Sequence, residues 1–174
     1  MVPLCACGRS GSVAFGKQSF CTFCFTGHFE KRVKKAFKER ELSKGEKVLV
    51  VGQLASYLVK NLIHVPLQLD FMDHIKEGDY DVIITEQTCD DECIAFLEAF
   101  AGGSIFSDDV LVLKALRYLT TDEAVAYAQL KGVPFVPRLN NSPWNAFLHG
   151  FRNSPEMKYN LLRNADELHK LLEK

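Results

Sequence analysis

Proline is scarce, with six in 174 residues, and the chain has neither a low-complexity tract nor an internal repeat. Extended disorder and solenoid architectures are therefore excluded. No apolar run approaches the ~20 residues that a bilayer requires. The richest stretch, Val48 to Val59, is broken by Gly52, Gln53 and Ser56. The first residues carry neither the basic segment nor the apolar segment of a secretory leader, so a cytoplasmic, reducing setting is expected. A large net charge is also missing: 21 bases against 22 acids leave −1, which gives the chain as a whole no polyanion-binding character. What remains is an ordinary globular composition, 47% hydrophobic and 25% charged, of a length suited to about one domain with a real core.

The balanced total conceals a local excess. Residues 31–47 hold eight bases (Lys31, Arg32, Lys34, Lys35, Lys38, Arg40, Lys44, Lys47) against three acids (Glu39, Glu41, Glu46). Phe25, Phe29, Val33, Ala36 and Phe37 recur at three- and four-residue steps, the pattern of an amphipathic helix. Lys31, Lys34, Lys35 and Lys38 fall on its other side as a basic stripe. Such a stripe is either a solvated face whose aliphatic stems cover a neighbour or a track for phosphates, whose binding releases counterions and weakens with salt.

Cysteine is present in a pattern. Cys5 and Cys7 form C-x-C, Cys21 and Cys24 form C-x2-C, and 13 residues separate the pairs. In a reducing compartment such pairs read as a metal site before they read as disulfides. Two knuckles can present four thiolates tetrahedrally to zinc at about 2.3 Å. His28, just beyond Cys24, is a substitute ligand should one thiol fall short. Cys89 and Cys93 open an apolar helical run and read first as small buried hydrophobes, with metal, sulfur-carrier or redox chemistry as the alternatives.

From Gly45 onward strands and helices alternate. Strands are expected at Lys47–Val51, Val65–Phe71, Val82–Thr85, Val110–Leu113 and Pro134–Val136. Helices are expected over 54–63 and 90–101, from a capping box at Thr120 and Glu123 to Lys131, and from Ser142 onward with a break at Ser154–Pro155. This alternation predicts an α/β fold, a small parallel sheet flanked by helices. Ligands of such sheets bind beyond the C-terminal strand ends. In this chain those are the loops Gly52–Ser56, Glu86–Asp91 and Lys114–Thr121. The expected organisation is a zinc knuckle over 1–28, a basic linker helix over 29–45 and an α/β domain over 46–174.

Several segments together resemble one family. "FCTFCFTGHFEKRVKKAFKERELSKGEKVLVV" resembles the opening of the cytoplasmic tRNA 2-thiolation protein 2 family: a cysteine knuckle, F-C-x2-C-F, a basic helix, then G-E-K-V-L before the first strand. "ITEQTCDDECIAFLEAFAGG" is similar to the strand–loop–helix that carries a G-H-N-x-D-D-E-like motif in the wider tRNA-thiolase and N-type ATP-pyrophosphatase group. "LKALRYLTTDEAVAYAQLKGVPFV" matches that group's R-P-L-x-x-L-x-x-x-E-x-x-x-Y-A segment, with Lys114 and Arg117 at its basic positions. "SPWNAFLHGFRNSPEMKYNLLRNADEL" looks like the family's C-terminal helical stretch. The resemblance runs from about Leu4 to Leu168 and implies an adenine nucleotide alpha hydrolase, or PP-loop, type of domain.

The departures shape the functional expectation. ATP pyrophosphatases place S-G-G-x-D-S after the first strand, where hydroxyls and glycine amides cradle pyrophosphate. Here the segment reads Val51-Gly52-Gln53-Leu54-Ala55-Ser56-Tyr57, and only Gly52 and Ser56 survive as a degenerate phosphate loop. The resemblance therefore implies a non-catalytic subunit of the complex that thiolates the wobble uridine of tRNA, with zinc bound and no ATP. Lys31, Arg32, Lys34, Lys35, Lys38 and Arg40 would contact tRNA phosphates, and a paralogous catalytic thiolase subunit would complete a heterodimer. Two rival expectations stand beside it. One is an active adenylating enzyme with an unusual phosphate loop; the other is a zinc-bearing protein-interaction module without RNA contact.

Overall fold

The computed structural model describes residues 4–15, 18–75, 78–104, 111–138, 142–151 and 154–172. A short antiparallel hairpin comes first, β1 (Val13–Phe15) against β2 (Gln18–Phe20). Helix α1 (Thr22–Glu39) follows at once and begins inside the cysteine segment, with Cys21 as its N-cap. Its buried side is the one that the periodicity predicts: Phe25, Phe29, Val33, Ala36 and Phe37.

The main sheet is four-stranded and parallel, in the order β4 (Gln68–Met72), β3 (Lys47–Val51), β5 (Val82–Thr88), β6 (Val112–Leu116). Helix α2 (Gln53–Leu62) carries the chain from β3 to β4, and α3 (Cys89–Ala101) follows β5. Helix α4 (Thr121–Lys131) follows β6, and α5 (Trp144–His149) and α6 (Pro155–Leu172) complete the described chain. The chain turns outward from β3 in both directions, to β4 on one side and to β5 on the other. That reversal places a crevice over the C-terminal ends of β3 and β5.

Two apolar clusters hold the layers. In the larger one, Phe25, Phe29 and Val33 of α1 meet Val48 and Val50 of β3, Leu54 and Leu58 of α2, Ile84 of β5 and Tyr127 of α4. Phe29 stacks on Tyr127, with ring centroids 3.8 Å apart. The smaller cluster joins Cys89, Cys93 and Ile94 of α3 to Leu148 of α5 and Leu162 of α6. Burial on this scale supplies about 1.5–3 kcal/mol for each large apolar side chain.

Local chemistry explains where the elements differ from the sequence expectation. Strand β4 begins at Gln68 and not at Val65, after Pro66, which has no N–H to give a ladder. Strand β5 runs three residues beyond Thr85, with an irregular register against β6, and so carries Glu86 at its end. The expected strand at Val110–Leu113 is observed as Val112–Leu116; Val110 lies outside the described residues. Residues 134–136 join no sheet among the described residues, since Pro134 and Pro137 bracket them and neither can donate. The Thr120–Glu123 capping box forms as predicted, and Gly132 closes α4 at φ 64°. No helix among the described residues is long and apolar enough to cross a membrane.

Candidate functional site

The chain brings Cys5, Cys7, Cys21 and Cys24 together, with all four sulfurs within 4.8 Å of one another. The first turn is tight: the Cys5 N–H donates to the Arg9 carbonyl at 2.9 Å and the Gly8 N–H to the Cys5 carbonyl at 2.8 Å. Cys7 and Cys21 sulfurs lie 3.6 Å apart, and the Cys24 N–H points at the Cys21 sulfur at 3.5 Å. The set shares its protons unevenly. The Cys7 backbone amide helps draw the Cys5 thiol down to about 6, whereas the surrounding sulfurs of Cys7, Cys21 and Cys5 push Cys24 up to about 12. The Cys24 amide lowers the Cys21 thiol as well, and a cluster primed to ionise at Cys5 and Cys21 is a donor set for a soft or borderline cation. His28 stands outside the group and stacks on Phe20, with centroids 5.7 Å apart; burial lowers its pKa.

On α1 the basic residues divide into two populations. Lys31, Lys34, Lys35 and Lys38 are exposed, as a helix face free of core duty. Lys35 lies over the Tyr118 ring, 3.7 Å from its centroid. The two arginines are engaged within the fold. Arg32 donates to Glu123 at 2.6 Å and sits over the Tyr159 ring. Arg40 donates to the Asp81 carbonyl at 2.6 Å. Packing turns the Arg32 guanidinium inward onto Glu123, whereas Arg40 makes its contacts at the surface.

The crevice at the strand ends holds a cavity of about 280 Å³. Gly52, Asp73, Glu86, Thr88, Asp91, Thr121 and Arg138 contribute its polar wall, and Phe135 and Val136 lie across from them. A more open depression of about 470 Å³ adjoins it through Gly52, Gln53, Asp73 and Pro134. Gly52 caps α2 at φ 103° and ψ 155°, a conformation essentially confined to glycine. A Cβ there would lie 2.1 Å from Cδ of Glu86. The Glu86 carboxylate fills the space so created and accepts the Ala55 N–H at 2.9 Å. It therefore satisfies one of the orphan amides at the head of α2, where negative charge is favoured. Burial nevertheless raises the Glu86 pKa, against the pull of those amides and of Arg138. Ser56, the other survivor of the phosphate loop, turns its hydroxyl back onto the Gly52 carbonyl at 2.7 Å.

Across the cavity, Asp91 closes a capping box on α3. Its Oδ2 accepts both the Thr88 N–H at 2.7 Å and the Thr88 hydroxyl at 2.8 Å, and burial raises its pKa. Asp90 accepts the Thr121 N–H at 2.7 Å and pairs with Lys158. The N-cap itself is Thr88, so Asp90 and Asp91 both serve as first-turn acids. Glu86 and Thr121 fall in two of the loops expected to bind ligand, whereas Asp73 and Arg138 lie outside them. An acid closing an apolar strand at Glu86, and a lone arginine after Pro137, were the signals available.

Other residues prominent in the sequence are structural. Lys114 meets the buried Glu92 at 2.7 Å, and Arg117 is held by Glu39 and Asp166. Cys89 and Cys93 sit in the smaller core with sulfurs 4.0 Å apart, and the neighbouring thiol and burial push the Cys89 pKa up. They pack, as expected of small hydrophobes.

No protein-family model matches the sequence, and no curated protein matches it. Among solved structures, the chain is similar to the U34-tRNA thiolase NcsA from Methanococcus maripaludis with its [4Fe-4S] cluster. The TM-score is 0.71 at 13% identity, over 98% of this chain and 89% of that one. The comparison corrects the expectation of a non-catalytic subunit, because the structure that shares this architecture is that of a thiolase, an enzyme. Substitutions in Val51–Tyr57 leave a cavity lined with carboxyls, hydroxyls and a guanidinium, so the altered loop is no ground for excluding catalysis. By the likeness that runs through nearly its whole length, the chain has the fold of a tRNA thiolase.

Proposed function

We propose that this chain is a tRNA-modifying enzyme of the thiolation type, acting on a base of tRNA held against the exposed face of α1. The observation that carries the reading is the likeness of 98% of the chain to a U34-tRNA thiolase. The lysines at 31, 34, 35 and 38 supply a positive track for phosphates on a chain whose total charge is −1. Recognition of this kind reads backbone and shape, as folded RNA requires. The cavity over β3 and β5 is the reaction site in this reading. At about 280 Å³ it suits a base taken out of its stack. Thr88, Thr121 and Arg138 offer donors for the base edge, and Glu86 and Asp91, whose pKa values burial raises above the ordinary carboxyl range, offer groups able to hold or move a proton. A second thiolase-fold chain is the proposed partner.

For the cysteine set we propose zinc. Four thiolates about 2.3 Å from one ion have sulfurs about 3.8 Å apart, and the four sulfurs here cluster on that scale. The ion would fix the hairpin to the head of α1 and so orient the lysine face. Metal analysis of the purified protein, read together with inorganic sulfide, separates zinc from an iron–sulfur cluster.

The function is tested by tRNA binding. The metal-loaded chain should shift tRNA, with log K falling by about 3 for each decade of salt if four phosphates are engaged. Changing Lys31, Lys34, Lys35 and Lys38 to Glu should abolish the shift. Binding that survives all four changes would overturn the proposed face.

A further inference from the structure

Phe23, in the first turn of α1, is 73% exposed, an unusual setting for a phenyl ring. It lies between two of the clustered cysteines in sequence, so a metal held by them would fix its backbone. Arg9, from the turn after Cys7, places its guanidinium 5.3 Å from the ring centroid. With about 100° per residue, Phe23, Gly27, Lys31, Lys34 and Lys38 share one side of α1. Gly27 keeps that side low, since a Cβ there would meet nothing within 4 Å. Ring and lysines thus form a continuous strip about 22 Å long from Phe23 to Lys38. Glu30, the nearest acid on the helix, is tied away from the strip by the Tyr127 hydroxyl at 2.8 Å and by Lys131.

We propose that Phe23, with Arg9, is a stacking platform for an unpaired RNA base at the head of the lysine track. A flat apolar ring beside a cation offers every base a π-face, and the lysines bring the phosphates that accompany it. The charge complementarity of the strip selects a nucleic acid over an apolar protein surface. An exposed ring has no use for a fully paired duplex, whose bases are already stacked. The occupant is therefore a single-stranded segment of a structured RNA, such as a loop or an end. This inference rests on the tRNA reading above and adds to it the part of the RNA that is gripped.

The test uses the full, metal-loaded chain and two RNAs, a hairpin with an unpaired loop and a blunt duplex of equal charge. Binding is followed by fluorescence anisotropy across a salt series. Phe23→Ala should weaken hairpin binding about 5- to 100-fold, with the salt slope unchanged and duplex binding unaffected. Phe23→Trp should keep hairpin binding at the unaltered level, and both variants should retain metal and thermal stability because the ring is exposed. Lys34→Glu should weaken both RNAs and reduce the salt slope by about 1. Equal loss on hairpin and duplex, or no loss on either, with Phe23→Ala would overturn the platform while leaving the lysine track intact. Failure of the unaltered chain to bind either RNA would overturn the platform and the tRNA reading together.

Discussion

Arg32 of α1 and Glu123 of α4 meet at 2.6 Å, with side chains only 17% and 7% exposed. The same glutamate accepts the Thr120 N–H at 2.8 Å and the Tyr159 hydroxyl at 2.7 Å. One carboxylate therefore caps α4, anchors α6 and fixes the basic helix to the sheet. Breaking one side of such a pair leaves the other charge without its partner, which costs about 3–5 kcal/mol when the site is fully buried. Glu123→Ala should approach that loss in urea unfolding, and Arg32→Met should cost less because the caps survive. The double variant should be less destabilised than the sum of the two, as a coupled pair requires.

Gly52 should tolerate no side chain. Alanine at φ 103° and ψ 155° carries about 1–3 kcal/mol of backbone strain and drives a Cβ into Glu86. Gly52→Ala should therefore lower the unfolding midpoint by more than the strain alone. Adding Glu86→Ala should recover the part due to the collision and leave the backbone part.

The raised Glu86 pKa has a signed consequence for stability. Its carboxyl titrates above its ordinary 4.5 in the folded chain, so the folded state binds more protons than the unfolded one between those values. Its contribution is fully present below the unfolded value and is lost as pH rises through the folded one. Glu86→Gln removes that titration. The stability of the variant relative to the unaltered chain should rise as pH climbs from about 4.5 and then stay level. Asp91 is shifted in the same direction but is common to both proteins, so it cancels in the difference. A difference that does not vary with pH would show that Glu86 is not desolvated.

Removing the zinc proposed for the cysteine set should act first on the hairpin and the head of α1. Cys21 is both a member of the sulfur cluster and the N-cap of the helix. Phe15 packs on Phe25 at 5.3 Å and Phe20 on His28 at 5.7 Å, so these contacts loosen with it. Treatment with a chelator, or Cys21→Ser, should lower the thermal midpoint and raise amide exchange over residues 4–25, with the sheet still protected. Uniform loss of protection across the chain would contradict a local role for the centre.

Where local chemistry governs, the sequence was a sufficient guide. The five buried positions of α1, the Thr120–Glu123 box and the β3 strand follow from side-chain periodicity and capping, which need no distant partner. The four cysteines were legible for a similar reason, since short pairs of thiols set their own geometry. The pairing of Arg32 was not legible, because spacing along a helix says nothing of an acid 91 residues away. The strand-end loops that carry Gly52, Glu86, Thr88, Asp91 and Thr121 were legible as a ligand site, whereas Asp73 and Arg138 were hidden for a topological reason. Asp73, Glu86, Thr121 and Arg138 come from four separate segments and meet only when the parallel sheet brings its strand ends together. The altered loop after β3 pointed away from catalysis, whereas the cavity beside it keeps carboxyls, hydroxyls and a guanidinium.

The most direct measurement is the 2-thiouridine content of wobble-position tRNA nucleosides, read by mass spectrometry in cells with and without this chain. Thiolation should fall when the chain is removed, return with the unaltered chain, and fail to return when Lys31, Lys34, Lys35 and Lys38 are all glutamate. Unchanged thiolation in cells lacking the chain would contradict the tRNA-modification reading.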